Sequence, residues 1–217
     1  MSRIAIVGGH GKIARLLVPL LVADGHVPVC LVRNPDHAPR LEALGAEVVL
    51  LDIEASGDEA FAAAFAGTDA VVFAAGGGPD GNAARKKTVD LGGSLKSIAG
   101  ATAAGVRRFV QISAISVDKP IDHGADPTWV AYVEAKRDAD IALRASDLDW
   151  TIIRPGGLTD GPPTGHITLA EQVEREQIPR ADVAALVAAV LPNPATHHKQ
   201  WEVVSGPTPI ADAIAHA

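Results

Sequence analysis

Short apolar runs rich in β-branched residues alternate along this chain with longer stretches whose apolar positions recur at helical spacing. The runs at 4–7, 27–32, 46–51, 70–74, 106–112 and 150–154 read as strands buried on both faces, and 201–204 as a last strand. Between them, 12–24, 39–44, 57–66, 83–104, 128–145, 180–191 and 210–217 read as helices. Gly25 and Gly45 stand where two of these helices should stop. Pro19 falls inside the first helical pattern; it has no N–H and should clash with the Arg15 carbonyl, which predicts a kink or a local loss of helix. The 83–104 helix is expected in spite of Gly92, Gly93 and Gly100, and 159–165, rich in Gly and Pro, reads as loop. Strands and helices in this alternation predict an α/β fold with a single doubly wound parallel sheet. The whole chain, 1–217, reads as one domain with a short C-terminal extension, and the substrate-side elements fall at about 118–127 and 156–217.

Composition narrows the partners. With 19 Lys and Arg against 26 Asp and Glu the net charge is −7, which argues against general affinity for nucleic acid or an anionic membrane. Cys30 is the only cysteine and lies in an apolar run, so no internal disulfide forms, and a reducing cytoplasm fits. The apolar stretch at 13–23 is interrupted by Arg15 and too short to span a bilayer, and nothing before it reads as a signal peptide. His197 and His198 are adjacent on a loop and lack ligand spacing, so no metal is expected. Arg107–Arg108 reads as a solvated turn, Trp129 as a pocket-lining or core residue, and the 180–191 helix as closely buried or a partner surface. The expected partner is a small-molecule substrate, with the chain a monomer or homodimer.

In such sheets ligands bind beyond the carboxyl ends of the strands, so the residues just after each strand carry the chemistry. After the first come Gly8, Gly9, His10 and Gly11. Glycines there let a pyrophosphate approach the backbone at a helix N-terminus, where free N–H groups and the helix dipole favour an anion. The second strand ends in Arg33, either a solvated arginine or a guanidinium that grips an adenosine 2′-phosphate. The third ends in Asp52 and Ile53, suited to an adenine amino group and its ring or, for Asp52, to capping. Ala74, Ala75 and Gly76 after the fourth give room for a ribose. The fifth runs into Ser113 and Ser116, and Tyr132 and Lys136 follow at i, i+4 spacing on one helix face. An ammonium beside a phenol lowers its pKa, and a serine hydroxyl can stabilise oxyanion charge, which together suit proton transfer at a carbonyl.

Taken together, the Gly8–Ala14 turn, Ser113, Tyr132-x-x-x-Lys136 and Arg154-Pro-Gly-Gly157 resemble the short-chain dehydrogenase/reductase superfamily over nearly the whole chain. The phrases at 31–35, 154–160 and 178–184 resemble more narrowly its atypical branch, the NAD(P)H-binding proteins related to biliverdin reductase B and flavin reductase. This resemblance implies a Rossmann domain and NADP(H), with NAD(H) the lesser alternative. It implies that Gly8, His10, Gly11, Lys12 and Ile13 surround the pyrophosphate and that Arg33 meets the 2′-phosphate. Asp52 and Ile53 would flank adenine, and Ala74, Ala75 and Gly76 the ribose. Lys136 would hold the nicotinamide ribose, Pro155, Gly156, Gly157 and Leu158 would line the nicotinamide, and Tyr132 would donate a proton with Ser113 beside it. Asp90 departs from the asparagine that related epimerases often carry, and Ala114 is an alternative to Ser113 at the oxyanion position. The implied activity is hydride transfer from NADPH to a carbonyl, quinone or flavin-like acceptor. The alternatives are a non-catalytic NADP-binding sensor and a sugar-nucleotide epimerase.

Overall fold

The computed structural model describes residues 1–78, 82–122 and 124–217. Among them the chain runs β1 (Arg3–Val7), α1 (Lys12–Ala23), β2 (Val27–Val32), α2 (Ala38–Glu42), β3 (Glu47–Leu50), α3 (Asp58–Phe65) and β4 (Ala70–Phe73). It continues through α4 (Ala83–Arg85), a π turn (Lys86–Leu91), α5 (Gly92–Ala103), β5 (Arg108–Ile112), α6 (Pro127–Arg144) and β6 (Asp149–Pro155). The last third holds β7 (Gly157–Thr159), β8 (His166–Ala170), β9 (Gln177–Pro179), α7 (Arg180–Val190), β10 (Lys199–Ser205), β11 (Thr208–Pro209) and α8 (Ile210–His216). The main sheet has the order β3-β2-β1-β4-β5-β6-β10-β8-β11. Its strands are parallel from β3 to β10, and β8 then pairs antiparallel with β10.

Alternate side chains on each strand enter opposite cores, as a pleated strand with two covered faces requires. Ile4, Ile6, Cys30 and Val32 pack toward α1 and α7. Ala5, Val7, Val29 and Leu31 pack on the other side, in the core built with Phe61, Phe65, Phe73 and Phe109. The α7 segment is therefore a core helix, with Val183, Leu186, Val187 and Val190 fully buried.

Four readings change. Helix α1 passes through Pro19 without a break, because Ala14, Leu17, Val18 and Leu21 are buried along one face and hold it; that burial outweighs the missing hydrogen bond, a cost of about 3 kcal/mol. The helix expected at 83–104 divides at the π turn, and two of its glycines are packing requirements. A Cβ on Gly93 would stand 2.5 Å from Ile53, and one on Gly100 2.6 Å from Phe61. Residues 156–209 contain β7, β8, β9 and β11, which are too short and too polar to show as strands in sequence. The last correction is Arg108, which is buried rather than solvated. Its guanidinium donates to the carbonyls of Asp149 (2.7 Å), Val190 (2.8 Å) and Leu191 (3.1 Å) and to the Thr196 hydroxyl (3.1 Å), and so caps the C-terminus of α7. Burial pulls its pKa down to about 10. Arg108→Met takes the guanidinium donors away from these buried acceptors, of which the Val190 carbonyl keeps the Asn193 N–H and the Thr196 hydroxyl, at about 3 kcal/mol. Thermal unfolding is expected to shift down by roughly 6–12 °C for a chain of this size; an unchanged melting temperature would show that water replaces the guanidinium.

No helix among the described residues is long and apolar enough to cross a membrane.

Candidate functional site

The glycine turn is built by its neighbours. Gly8 adopts φ +81°, and a Cβ there would stand 2.8 Å from the Ala75 backbone. Gly9 lies against Cys30, whose Cβ would be 2.5 Å away; burial pushes that thiol up to about 12, so Cys30 is filler. Gly11 is the N-cap of α1, donates its N–H to the Gly8 carbonyl at 2.8 Å, and has no side chain to cap the helix. The first turn of α1 also has no acidic residue. Its N–H groups and positive dipole end are thus left for an external anion.

A cavity of about 540 Å³ opens from this turn along the carboxyl ends of β1 to β4. It brings together Gly8, His10 and Gly11, then Arg33, then Asp52 and Ile53, over a floor of Ala74, Ala75 and Gly76. Those nine came from sequence; Asn34, His37, Glu54 and Arg85 are additions. The His10 and His37 rings stack at 3.5 Å and 10°. Burial, with His37, Arg15 and Arg40 nearby, holds His10 below the ordinary histidine range. Lys12 and Ile13 are outside this lining. Lys12 instead pairs with Asp160 at 2.5 Å, and Arg180 holds the other Asp160 oxygen at 2.7 Å, so α1 is tied to the segment after β7.

The corner beside Arg33 holds a carboxylate that the strand end itself does not carry. Glu54 arrives from the loop after β3 and lies 3.2 Å from Arg33 and 3.6 Å from Arg85, and it accepts from the Thr88 hydroxyl at 2.7 Å. Asp52 accepts from the N–H of Glu54 at 2.9 Å and so shapes that loop.

Behind the cavity floor stands the second group. Lys136 is buried and donates to the carbonyls of Ile112 (3.2 Å) and Ala75 (3.5 Å). Asp90, from the π turn, lies 3.2 Å from its Nζ and accepts from the Gly77 N–H at 2.8 Å. Burial works against the Lys136 charge, but Asp90 and Tyr132 more than offset it, and the lysine stands above its ordinary pKa. Tyr132 lies beside Trp129, ring centroids 5.6 Å apart, with Lys86 5.8 Å over its ring. Arg175, from the segment between β8 and β9, covers Trp129 at 5.3 Å. The expected lowering of the Tyr132 pKa is corrected: burial raises it, Asp90 and Asp140 add to that, and Lys136 and Arg175 only partly oppose them.

Ser113 does not present a free hydroxyl. It donates to Asp140 at 2.8 Å, in a buried network where Asp140 also accepts from Gln111 (2.7 Å) and Arg154 (2.9 Å). Ser116 has φ 63° and donates its N–H to Glu202 at 2.7 Å. Pro155 ends β6, and Gly156 has no room for a Cβ, which would stand 2.2 Å from the Glu176 carbonyl. Gly157 and Leu158 pair with β9, and Leu158 is exposed. All four lie outside the lining of the cavity. The sequence marked Asp90 only as a departure from related chains; nothing in it pointed to Glu54.

Comparison with known proteins bears on this geometry. A family model described as NAD(P)H-binding matches residues 8–194. The chain is 38% identical over 213 residues to the uncharacterized sugar epimerase YhfK of Bacillus subtilis, the match covering 98% of each. It is similar in structure to a Bacillus halodurans protein provisionally named an NAD-dependent epimerase/dehydratase, with a TM-score of 0.93, 37% identity and 100% of both chains covered. The oxidoreductase ylbE of Lactococcus lactis superposes with a TM-score of 0.87 at 27% identity, over 99% of this chain and 95% of that one.

Proposed function

Because the chain belongs to the NAD(P)H-binding family, we propose that it is an NADPH-dependent reductase of the atypical short-chain dehydrogenase type, acting on a carbonyl, quinone or flavin-like acceptor. The observation that carries this reading is the continuity of the two groups: the Ala75 that floors the cavity also accepts from Lys136, one helical turn from Tyr132. The residues fit a dinucleotide. The uncapped start of α1 and the Cβ-free turn suit a pyrophosphate, and a 540 Å³ cavity has the size of a cofactor pocket.

In this reading Gly8, His10 and Gly11 hold the pyrophosphate, with Lys12 and Ile13 at the helix start, and Arg33 with Arg85 takes the 2′-phosphate. Asp52 and Ile53 flank adenine, and Ala74 to Gly76 face the ribose. Lys136 holds the nicotinamide ribose, and Pro155 to Leu158 close the nicotinamide side. The bound reduced nicotinamide supplies a hydride. Tyr132 gives a proton to the acceptor oxygen, and Ser113 keeps Asp140 and hence Arg154 in place beneath it. Steady oxidation of NADPH with a panel of carbonyls, quinones and flavins tests the reading; tight binding without oxidation by any acceptor would favour the sensor.

Cofactor choice turns on Glu54, which already sits between two guanidinium groups. A charge-assisted hydrogen bond contributes about 1.5–3 kcal/mol, or at least about tenfold in affinity. Wild-type protein is expected to prefer NADPH to NADH by about tenfold, less at high salt. Arg33→Ala is expected to weaken NADPH binding and narrow that preference while leaving NADH nearly unchanged. Glu54→Gln removes the carboxylate charge that competes for Arg33 and is expected to tighten NADPH about tenfold. Equal NADPH and NADH affinities in wild type and both variants would reduce Arg33 and Glu54 to a surface pair.

A further inference from the structure

Among the described residues Asp90 is the carboxylate that pairs with Lys136, at 3.2 Å, and the fold goes to some length to put it there. The π turn at Lys86–Leu91 interrupts the helix that follows β4, and Asp90 lies in it with only 1% exposure. π turns of this kind are frequent at functional sites. One Asp90 oxygen accepts from the Gly77 N–H, and the other lies against the Lys136 ammonium. The chain after β4 can come this close only without side chains: a Cβ on Gly76 would stand 3.1 Å from one Asp90 oxygen, and one on Gly77 3.2 Å from the other and 2.9 Å from the Arg85 carbonyl.

This arrangement changes what Lys136 does to Tyr132. An ammonium next to a phenol favours the phenolate, the form that takes a proton. Here the ammonium is balanced by a carboxylate inside the same buried cluster, and burial favours the neutral hydroxyl. The charged groups facing the tyrosine are Lys136 and Asp140 from α6, Asp90 and Lys86 from the π turn, and Arg175 from the segment between β8 and β9. Lys86 is itself engaged, donating to the Gly78 carbonyl.

We propose that Asp90 is a positioning residue that commits the Tyr132–Lys136 pair to giving a proton rather than taking one. This rests on the reductase reading and deepens it. In the step, the Tyr132 O–H bond breaks as its proton passes to the carbonyl oxygen; the hydride that completes the reduction at the carbonyl carbon would be supplied by a bound reduced nicotinamide. Water then reprotonates the phenolate. An alcohol oxidation, or an epimerisation that begins by deprotonating a hydroxyl, needs the phenolate beforehand, and the Asp90 charge opposes it.

The chain has a single tyrosine, so the ultraviolet absorbance of phenolate during an alkaline titration reads Tyr132 alone. The experiment uses the full chain with no cofactor or acceptor. Its outcome is therefore independent of turnover, which alone decides the reductase reading. The wild-type midpoint is expected above the ordinary tyrosine value of about 10. Asp90→Asn keeps an oxygen for the Gly77 N–H but removes the charge, and Lys136 keeps its two carbonyl acceptors. Its midpoint is expected at least about one pH unit below wild type, a tenfold change in the ionisation equilibrium. Lys136→Met is expected above wild type, and it decides with the wild-type curve if circular dichroism shows Asp90→Asn unfolded. A wild-type midpoint at or below 10, an Asp90→Asn midpoint equal to or above wild type, or a Lys136→Met midpoint at or below wild type overturns the proposal.

Discussion

Tyr132→Phe is expected to lower carbonyl reduction by about 10²–10⁴-fold, the range for a lost general acid. The variant loses one oxygen and little else. Its ring keeps the contacts with Trp129 at 5.6 Å and Lys86 at 5.8 Å, so the wall of the site stays in place. Lys136 remains held by Asp90 and by the Ala75 and Ile112 carbonyls. NADPH affinity, measured by fluorescence titration, is therefore expected within about twofold of wild type, and the loss should appear in kcat. With a quinone or flavin acceptor, whose oxygens or nitrogens draw protons from water, the loss should be much smaller. Full carbonyl-reductase activity in the Phe variant would remove Tyr132 from the chemistry.

Gly11→Asp is expected to abolish dinucleotide binding while sparing the fold. Gly11 is the N-cap of α1 with φ −60° and ψ 156°, a conformation open to any residue. Aspartate is among the best N-caps and contributes about 0.5–2 kcal/mol by accepting from the first-turn N–H groups. Its Cβ would stand 3.1 Å from the Gly8 carbonyl, a tight contact that consumes part of this gain. The melting temperature should thus change little. The carboxylate, however, occupies the place of the pyrophosphate. Two like charges about 4 Å apart repel by about 4 kcal/mol at an effective dielectric constant near 20, which is roughly a thousandfold in affinity. Calorimetry with NADPH should fall to background. Unchanged affinity in the folded variant would place the pyrophosphate elsewhere.

Much of this molecule is determined by local pattern. A strand buried on both faces must be continuously apolar, and this made β1, β2, β4, β5 and β6 visible in order and nearly in extent. The glycine turn, the small residues after β4 and the i, i+4 pair on α6 follow from the same local rules, and position relative to strand ends pointed to nine residues that line one cavity. What the sequence could not determine depends on contacts between residues far apart in the chain. The short strands β8 and β11 exist because the edge at β10 was there to pair with, and β7 and β9 because tertiary folding brings them together as a separate pair; their own composition is neutral. Arg108 looked solvated because its acceptors lie about 40 to 90 residues away. Pro19 was survivable because α1 has a buried face. At the site, burial raises the Tyr132 phenol and Asp90 from the π turn adds to that, while Glu54 from the loop after β3 supplies the charge beside Arg33. Electrostatic environment is a sum over neighbours in space, weighted by burial. Spacing along a chain predicts which residues share a helix face, but only the tertiary structure decides which charges face them.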